Sequence, residues 1–242
     1  MEYDRADKEV AEMSKIKVNE QRAVDEFQEL TAIDAPSFGE RQMADRLIVK
    51  LKELGFEVEE DNAGEHFGGN AGNLYAYLPG DLPGDPVLLS GHMDTVEPSK
   101  GKKGIIGEDG VIRSAGKAVL GADDVAGLVE ILEGIRSVKE AGVPHRDIEI
   151  LFTIAEELYI KGSSVFDFSK VRAKEAYVLD ISGPVGSAAY KAPSLISYQV
   201  VVTGMLWVLI GGIFFGAVTD FGALYASVKN DGKSMGMLIE KY

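Results

Sequence analysis

The chain has 242 residues, with 25 Lys plus Arg against 39 Asp plus Glu, and its formal charge of −14 argues against nucleic acid or an anionic membrane surface as partner. It contains no cysteine, which removes disulfides, thiolate metal sites and cysteine nucleophiles together, so a transition-metal site has to be built from carboxylates and the three histidines, His66, His92 and His145. At 45% apolar and 26% charged residues the composition is that of a soluble globular protein, long enough for one large α/β domain or two small ones.

Residues 1–18 mix charges throughout and contain no long apolar run, so we read them as an N-terminal extension that is neither secretory signal nor transit peptide, and expect a cytoplasmic protein. Asn19 is placed to cap a helix running to about Ile33, with Val24, Phe27 and Leu30 inward. Ser37 with Glu40 three residues later forms a capping-box pattern, opening a second helix whose apolar face is Met43, Leu47, Leu51 and Leu54 and whose end is Gly55. Strands are predicted at 56–60, 73–78 and 86–90, and a hairpin around Asp109-Gly110. From Val125 to Val138 apolar residues keep a helical period up to Gly142; 148–154 then reads as a strand buried on both faces, and 176–181 as another. Strand, long helix, strand, short helix and strand in succession predict an α/β fold: a mainly parallel mixed sheet with helices on both faces, and ligands at the carboxyl ends of the strands.

The composition changes abruptly near Gly204. Residues 205–219 carry no charge and hold the lone tryptophan, Trp207, while residues 205–242 as a whole contain three lysines and three acids, so the net charge resides in residues 1–204. We therefore divide the chain into the extension 1–18, a main domain 19–204 and an atypical apolar tail 205–242. As a helix, fifteen residues would span about 22 Å, short of a hydrocarbon core of about 30 Å, which disfavours a membrane span.

Chemistry-bearing residues recur at one topological position. His92 and Asp94 close the strand PVLLSG, and in extended chain residues i and i+2 project the same way, so Asp94 can fix the imidazole tautomer. Asp123 and Asp124 open the long helix, where the plainer reading is helix capping. Glu156 and Glu157 follow the apolar run IEILFTIA, and Asp180 ends AYVL; solvated strand tips are the plainer reading there. The separations from 92 to 123, 123 to 156 and 156 to 180 are each about one strand–helix unit, so these side chains are predicted to converge on one rim of the sheet. Imidazole plus carboxylates without sulfur suits zinc, with manganese or cobalt as alternatives.

The strings LLSGHMDTVEP, LGADDVAG, FTIAEELYIKGS and YVLDISGPVGSAAYKAPS resemble those of peptidase T-like enzymes, the tripeptide aminopeptidase branch of the co-catalytic di-zinc exopeptidases that also includes glutamate carboxypeptidase and aminoacylase. The resemblance covers about residues 17–204. It implies that Asp123 bridges two zinc ions, that His92 and Asp180 complete the first site, that Glu157 ligates the second, that Asp94 orients His92, and that Glu156 is the general base. It also implies a cis peptide between Asp123 and Asp124, a short peptide as substrate and, through a lid domain, a homodimer. Neighbouring side chains on an extended chain point apart, so Glu157 would face metal while Glu156 faces water.

Two departures qualify the resemblance. No histidine follows His145, whereas such enzymes supply a late histidine to the second zinc, and Val125 stands where lysine is common. The ligand count therefore leaves His92, Asp123 and Asp180 for one ion and two carboxylates for a second, so one zinc is expected here. We read residues 205–242 as replacing the lid through a frameshift, deletion or fusion, and expect little turnover by the chain alone. Two alternatives remain open at this point: a catalytically inactive metal-binding remnant, and a related deacylase or carboxypeptidase. His66 and His145 fall outside the matched strings, and each is expected as a surface or loop residue.

Overall fold

The structure, a computed structural model, describes residues 14–181, 183 and 187–189; nearly all belong to one compact unit, Met1–Ala188. The tail 205–242 and its predicted boundary lie outside the described residues. In chain order the described elements are α1 (Glu20–Thr31), α2 (Arg41–Glu53), β1 (Glu57–Glu60), β2 (Leu74–Leu78), β3 (Val87–His92), β4 (Gly104–Ile106), β5 (Ile112–Ser114), α3 (Ala122–Ala141), β6 (Ile148–Thr153), α4 (Lys161–Ser164) and β7 (Glu175–Val178). None of the helices among them is long and apolar enough to cross a membrane.

The elements form where the local chemistry directs. Asn19 caps α1, its side-chain oxygen accepting the Arg22 N–H at 3.1 Å. The helix ends at Thr31, two residues before the predicted end, and of the predicted inward residues Leu30 is fully buried while Val24 and Phe27 are half-buried. In α2, Met43, Leu47 and Leu51 are completely buried, and Gly55 takes φ 88° just beyond the helix, where a left-handed residue stops it. The Asp109-Gly110 turn joins β4 to β5, with Gly110 at φ 76°.

The main sheet has the order β1-β2-β6-β3-β7. β6, β3 and β7 are parallel, while β2 runs antiparallel to β6 and β1 antiparallel to β2. Alternation sorts the side chains: Leu74, Ala76, Ile150 and Phe152 join Leu30, Leu47, Leu51, Leu128 and Leu132 of the three long helices in the large core, whereas Tyr75, Leu88 and Leu151 pack against Phe166, just after α4, on the other face. β6 is the central strand buried on both sides, as its continuous apolar run predicts. β7 is exposed along its length. The mixed α/β architecture is the one expected, with β3, β6 and β7 parallel and β1 and β2 forming its antiparallel edge.

A charged network ties α1 to α3. Glu133 is 2% exposed; it accepts from Arg22 Nε at 2.7 Å and Nη2 at 2.8 Å, and from the Asn19 N–H at 2.8 Å. Burial alone would raise its pKa, but these bonds, with those from Ser137 and Arg136, hold it down to about 2. Because the folded pKa lies below the usual carboxylate value, the stabilisation is present above about pH 4.5 and is lost as the pH falls toward 2. We expect wild-type protein to lose on the order of 3 kcal/mol across that window from this group. Acid titration of Glu133→Gln followed by circular dichroism, showing the same slope as wild type, would contradict this.

Candidate metal centre

The carboxyl ends of β3, β6 and β7 and the start of α3 meet at one rim. His92 is the last residue of β3 and 2% exposed. Its Nδ1 lies 2.9 Å from the carbonyl oxygen of Asp94 and 3.3 Å from Asp94 Oδ1. A carbonyl oxygen can only accept, so the Nδ1 proton is committed there and Nε2 is aimed at the acids. Nε2 stands 2.9 Å from Asp123 Oδ1, 3.9 Å from Glu156 Oε2 and 4.0 Å from Asp180 Oδ1. The potential ligand atoms of His92, Asp123 and Glu157 lie within 4.8 Å of one another, as do those of His92, Glu156 and Asp180. The spacing argument is met: residues from 92 to 180 converge.

Asp123 and Asp124 divide the two readings of their pair. The peptide between them is cis, and neither has helical φ/ψ, so regular helix begins after them. Asp124, 3% exposed, is the cap: Oδ1 accepts the Gly127 N–H at 3.2 Å, and Oδ2 accepts the His92 N–H at 3.1 Å. Asp123, with its side chain 69% exposed, faces the imidazole. The close seating of α3 needs two glycines whose role sequence reasoning missed. A Cβ on Gly91 would lie 2.5 Å from Asp124 Oδ2, and one on Gly127 would lie 2.2 Å from the Leu179 carbonyl oxygen and 2.3 Å from Asp124 Oδ1. Gly127→Ala is therefore expected to destabilise the fold by about 1–3 kcal/mol through overpacking, a loss that denaturant unfolding will measure; unchanged stability would contradict the contact.

Glu156 and Glu157 do not lie on extended chain. β6 stops at Thr153, and Ala155 takes φ 47°, so the two acids sit in a turn. Asp94 organises that turn: it is fully buried, and its Oδ1 accepts the Glu156 N–H at 2.9 Å and its Oδ2 the Glu157 N–H at 3.3 Å. Ser37 Oγ donates to Asp94 Oδ2 at 2.6 Å. The predicted capping box is thus absent: α2 starts at Arg41 without a side-chain cap, Ser37 bonds to Asp94, and Glu40 accepts the N–H groups of Phe38 and the distant Ala155. The local Ser-x-x-Glu pattern was the signal that marked them, assigned to the wrong partner. His66 is exposed beside Phe67, and His145 Nδ1 bonds the Arg146 carbonyl, both apart from the centre as expected.

The electrostatics fit a cation. Burial alone would lower the His92 pKa, but the hydrogen bond and charge of Asp94, with the charges of Asp124 and the contact with Asp123, raise it to about 10. Burial and neighbouring acids push Asp180 up to about 6, and Glu157 is raised by burial and Asp123. Burial alone would raise the Asp94 carboxyl, but the hydrogen bonds from His92, Ser37 and the Glu156 N–H hold it below the usual carboxylate value. One imidazole thus faces more carboxylates than it can balance. Two ligand atoms at about 2.0–2.1 Å from a tetrahedral zinc are about 3.3 Å apart, and the 2.9, 3.9 and 4.0 Å spacings around His92 Nε2 bracket that value.

Residues 73–192 match the model of Peptidase family M28, and residues 196–242 match a different one, Carbon starvation protein CstA. The second match begins eight residues before the change of composition near Gly204. The uncharacterized protein YqjE of Bacillus subtilis is 36% identical over 187 residues, 77% of this chain and 50% of that one. Peptidase T of Aliivibrio salmonicida is 34% identical over 155 residues, 63% of this chain and 36% of that one. The crystal structure of aminopeptidase PepT from Bacillus cereus superposes with a TM-score of 0.68 at 40% identity, covering 70% of this chain and 45% of that one. The chain spans about half the length, or less, of the curated relatives it matches. Over its described residues the chain is therefore similar in sequence and in fold to peptidases of the peptidase T type.

Proposed function

We propose that this centre hydrolyses the peptide bond of short peptides, in the manner of a tripeptide aminopeptidase. The observation that carries the reading is the meeting of His92 Nε2 with Asp123, Glu156 and Asp180 within 4.0 Å. His92, Asp123 and Asp180 are the residues that would hold a zinc ion, and Asp123 with Glu157 those that would share a second. Bound there, such an ion would lower the pKa of a water molecule toward about 7 and would polarise the scissile carbonyl.

The remaining work belongs to the chain's own groups. Glu156, half-buried beside the imidazole, takes a proton from the attacking water and returns it to the leaving amine. Asp94 keeps the Nδ1 proton of His92 engaged, so that Nε2 keeps its aim, and through two N–H groups holds Glu156 and Glu157 in place. The imidazole supplies the nitrogen ligand that suits zinc, while the carboxylates without thiols leave manganese and cobalt as competitors.

Two measurements on purified chain test the reading: zinc per chain after dialysis, and hydrolysis of a tripeptide. One tightly held zinc is expected, with low turnover, since the chain spans about half the length or less of its relatives. Zinc without turnover would reduce the centre to a metal-binding module, and neither zinc nor turnover would overturn the proposal.

A further inference from the structure

Glu40 stands behind the catalytic turn and has no part in the chemistry just described. It is completely buried at the start of α2. Its Oε1 accepts the N–H of Phe38 at 2.8 Å and the N–H of Ala155 at 3.0 Å. Both partners are non-glycine residues in the left-handed region, Phe38 at φ 67° and Ala155 at φ 47°, a conformation that persists only where surrounding bonds determine it. Its other oxygen, Oε2, is buried without a hydrogen-bond partner. Three successive N–H groups, those of Ala155, Glu156 and Glu157, are thus held by two carboxyl groups, Glu40 and Asp94.

We propose that Glu40 is a positioning residue for the hydrolytic centre: by accepting the Ala155 N–H it fixes the sharp exit from β6, and so sets where Glu156 and Glu157 stand relative to His92. The inference rests on the function proposed above. Asp94 orders the turn from the side of the imidazole, but its bonds begin at Glu156; the left-handed residue that redirects the chain is held by Glu40. Burial, with the charge of Asp94 adding to it, pushes the Glu40 carboxyl up to about 7. Both N–H groups are held by the one oxygen Oε1, so an acceptor oxygen at that place is what the turn uses, and glutamine, which keeps that oxygen, should replace it.

The test compares Glu40→Gln and Glu40→Leu in the full chain. Glu40→Leu is expected to weaken zinc binding at least tenfold and to lower kcat, with KM moving less than threefold. Its Ala155 amide should exchange with solvent at least a hundredfold faster than in wild type. Glu40→Gln is expected to stay within about threefold of wild type in all three. A folded Glu40→Leu protein that matches wild type in zinc affinity and in Ala155 exchange overturns the proposal, as does a Glu40→Gln protein that fails as badly as Glu40→Leu. Should Glu40→Leu not fold, the wild-type amide decides: exchange at Ala155 as slow as at buried Ile154 supports the tether, and fast exchange overturns it. Failure of the wild-type chain to bind zinc would strike the proposed function alone, because amide exchange at Ala155 reads the tether without metal.

Discussion

His92→Ala is expected to weaken zinc binding by at least about a thousandfold, equivalent to about 4 kcal/mol. The imidazole is the one nitrogen ligand among the described residues of the cluster, and Nε2 is the atom that the acids of three separate segments approach. Removing it leaves Asp123, Glu156, Glu157 and Asp180 to repel one another around an ion that has lost its strongest ligand. Competition against a coloured chelator measures the affinity, and thermal melting confirms that the variant folds. Asp94→Asn gives a graded comparison. Loss of an orienting partner behind a metal-binding histidine typically costs 10–100-fold, so this variant should fall between wild type and His92→Ala. A His92→Ala protein that binds zinc as tightly as wild type would remove the centre from this rim.

Glu156→Gln should show the opposite pattern. The amide keeps the size of the side chain and the turn's backbone bonds to Asp94, but it cannot take a proton from water. Hydrolysis of a tripeptide by zinc-loaded chain is expected to fall by about a thousandfold, within the range that a positioned general base contributes, while zinc stoichiometry stays unchanged. The split between the two variants is informative: His92→Ala loses metal and turnover together, Glu156→Gln turnover alone. If Glu156→Gln lost the metal as well, Glu156 would be a ligand, as its place beside His92 and Asp180 also allows geometrically, and the base would have to be sought elsewhere.

Much of this centre was legible in one dimension, and for a physical reason. A strand followed by a helix returns the chain to the same edge of a sheet, so acids that recur at intervals of about one such unit are carried to one rim. His92, Asp94, Asp123, Glu156, Glu157 and Asp180 were marked in that way, and all of them meet there. The apolar faces of α1, α2 and α3 were legible from their 3.6-residue period, and β6 from an uninterrupted apolar run flanked by turns.

What was not legible was the choice between partners that local chemistry leaves equivalent. Ser37 and Glu40 satisfy a capping box on paper, but the same oxygens make stronger use of their reach where β3 and β6 present a buried carboxyl and a bare N–H. Asp123 and Asp124 are identical in type; the seat of α3 against Gly91 decides which caps the helix and which faces the imidazole. The turn at Ala155, a residue with no preference for positive φ, exists because two distant carboxyl groups hold its N–H donors. The sequence by itself determined which elements form and which side chains are brought to the rim, since periodicity and element length are properties of neighbouring residues. The tertiary structure alone decided how those side chains share their hydrogen bonds, because that assignment depends on which buried donors and acceptors the packed sheet leaves unpaired.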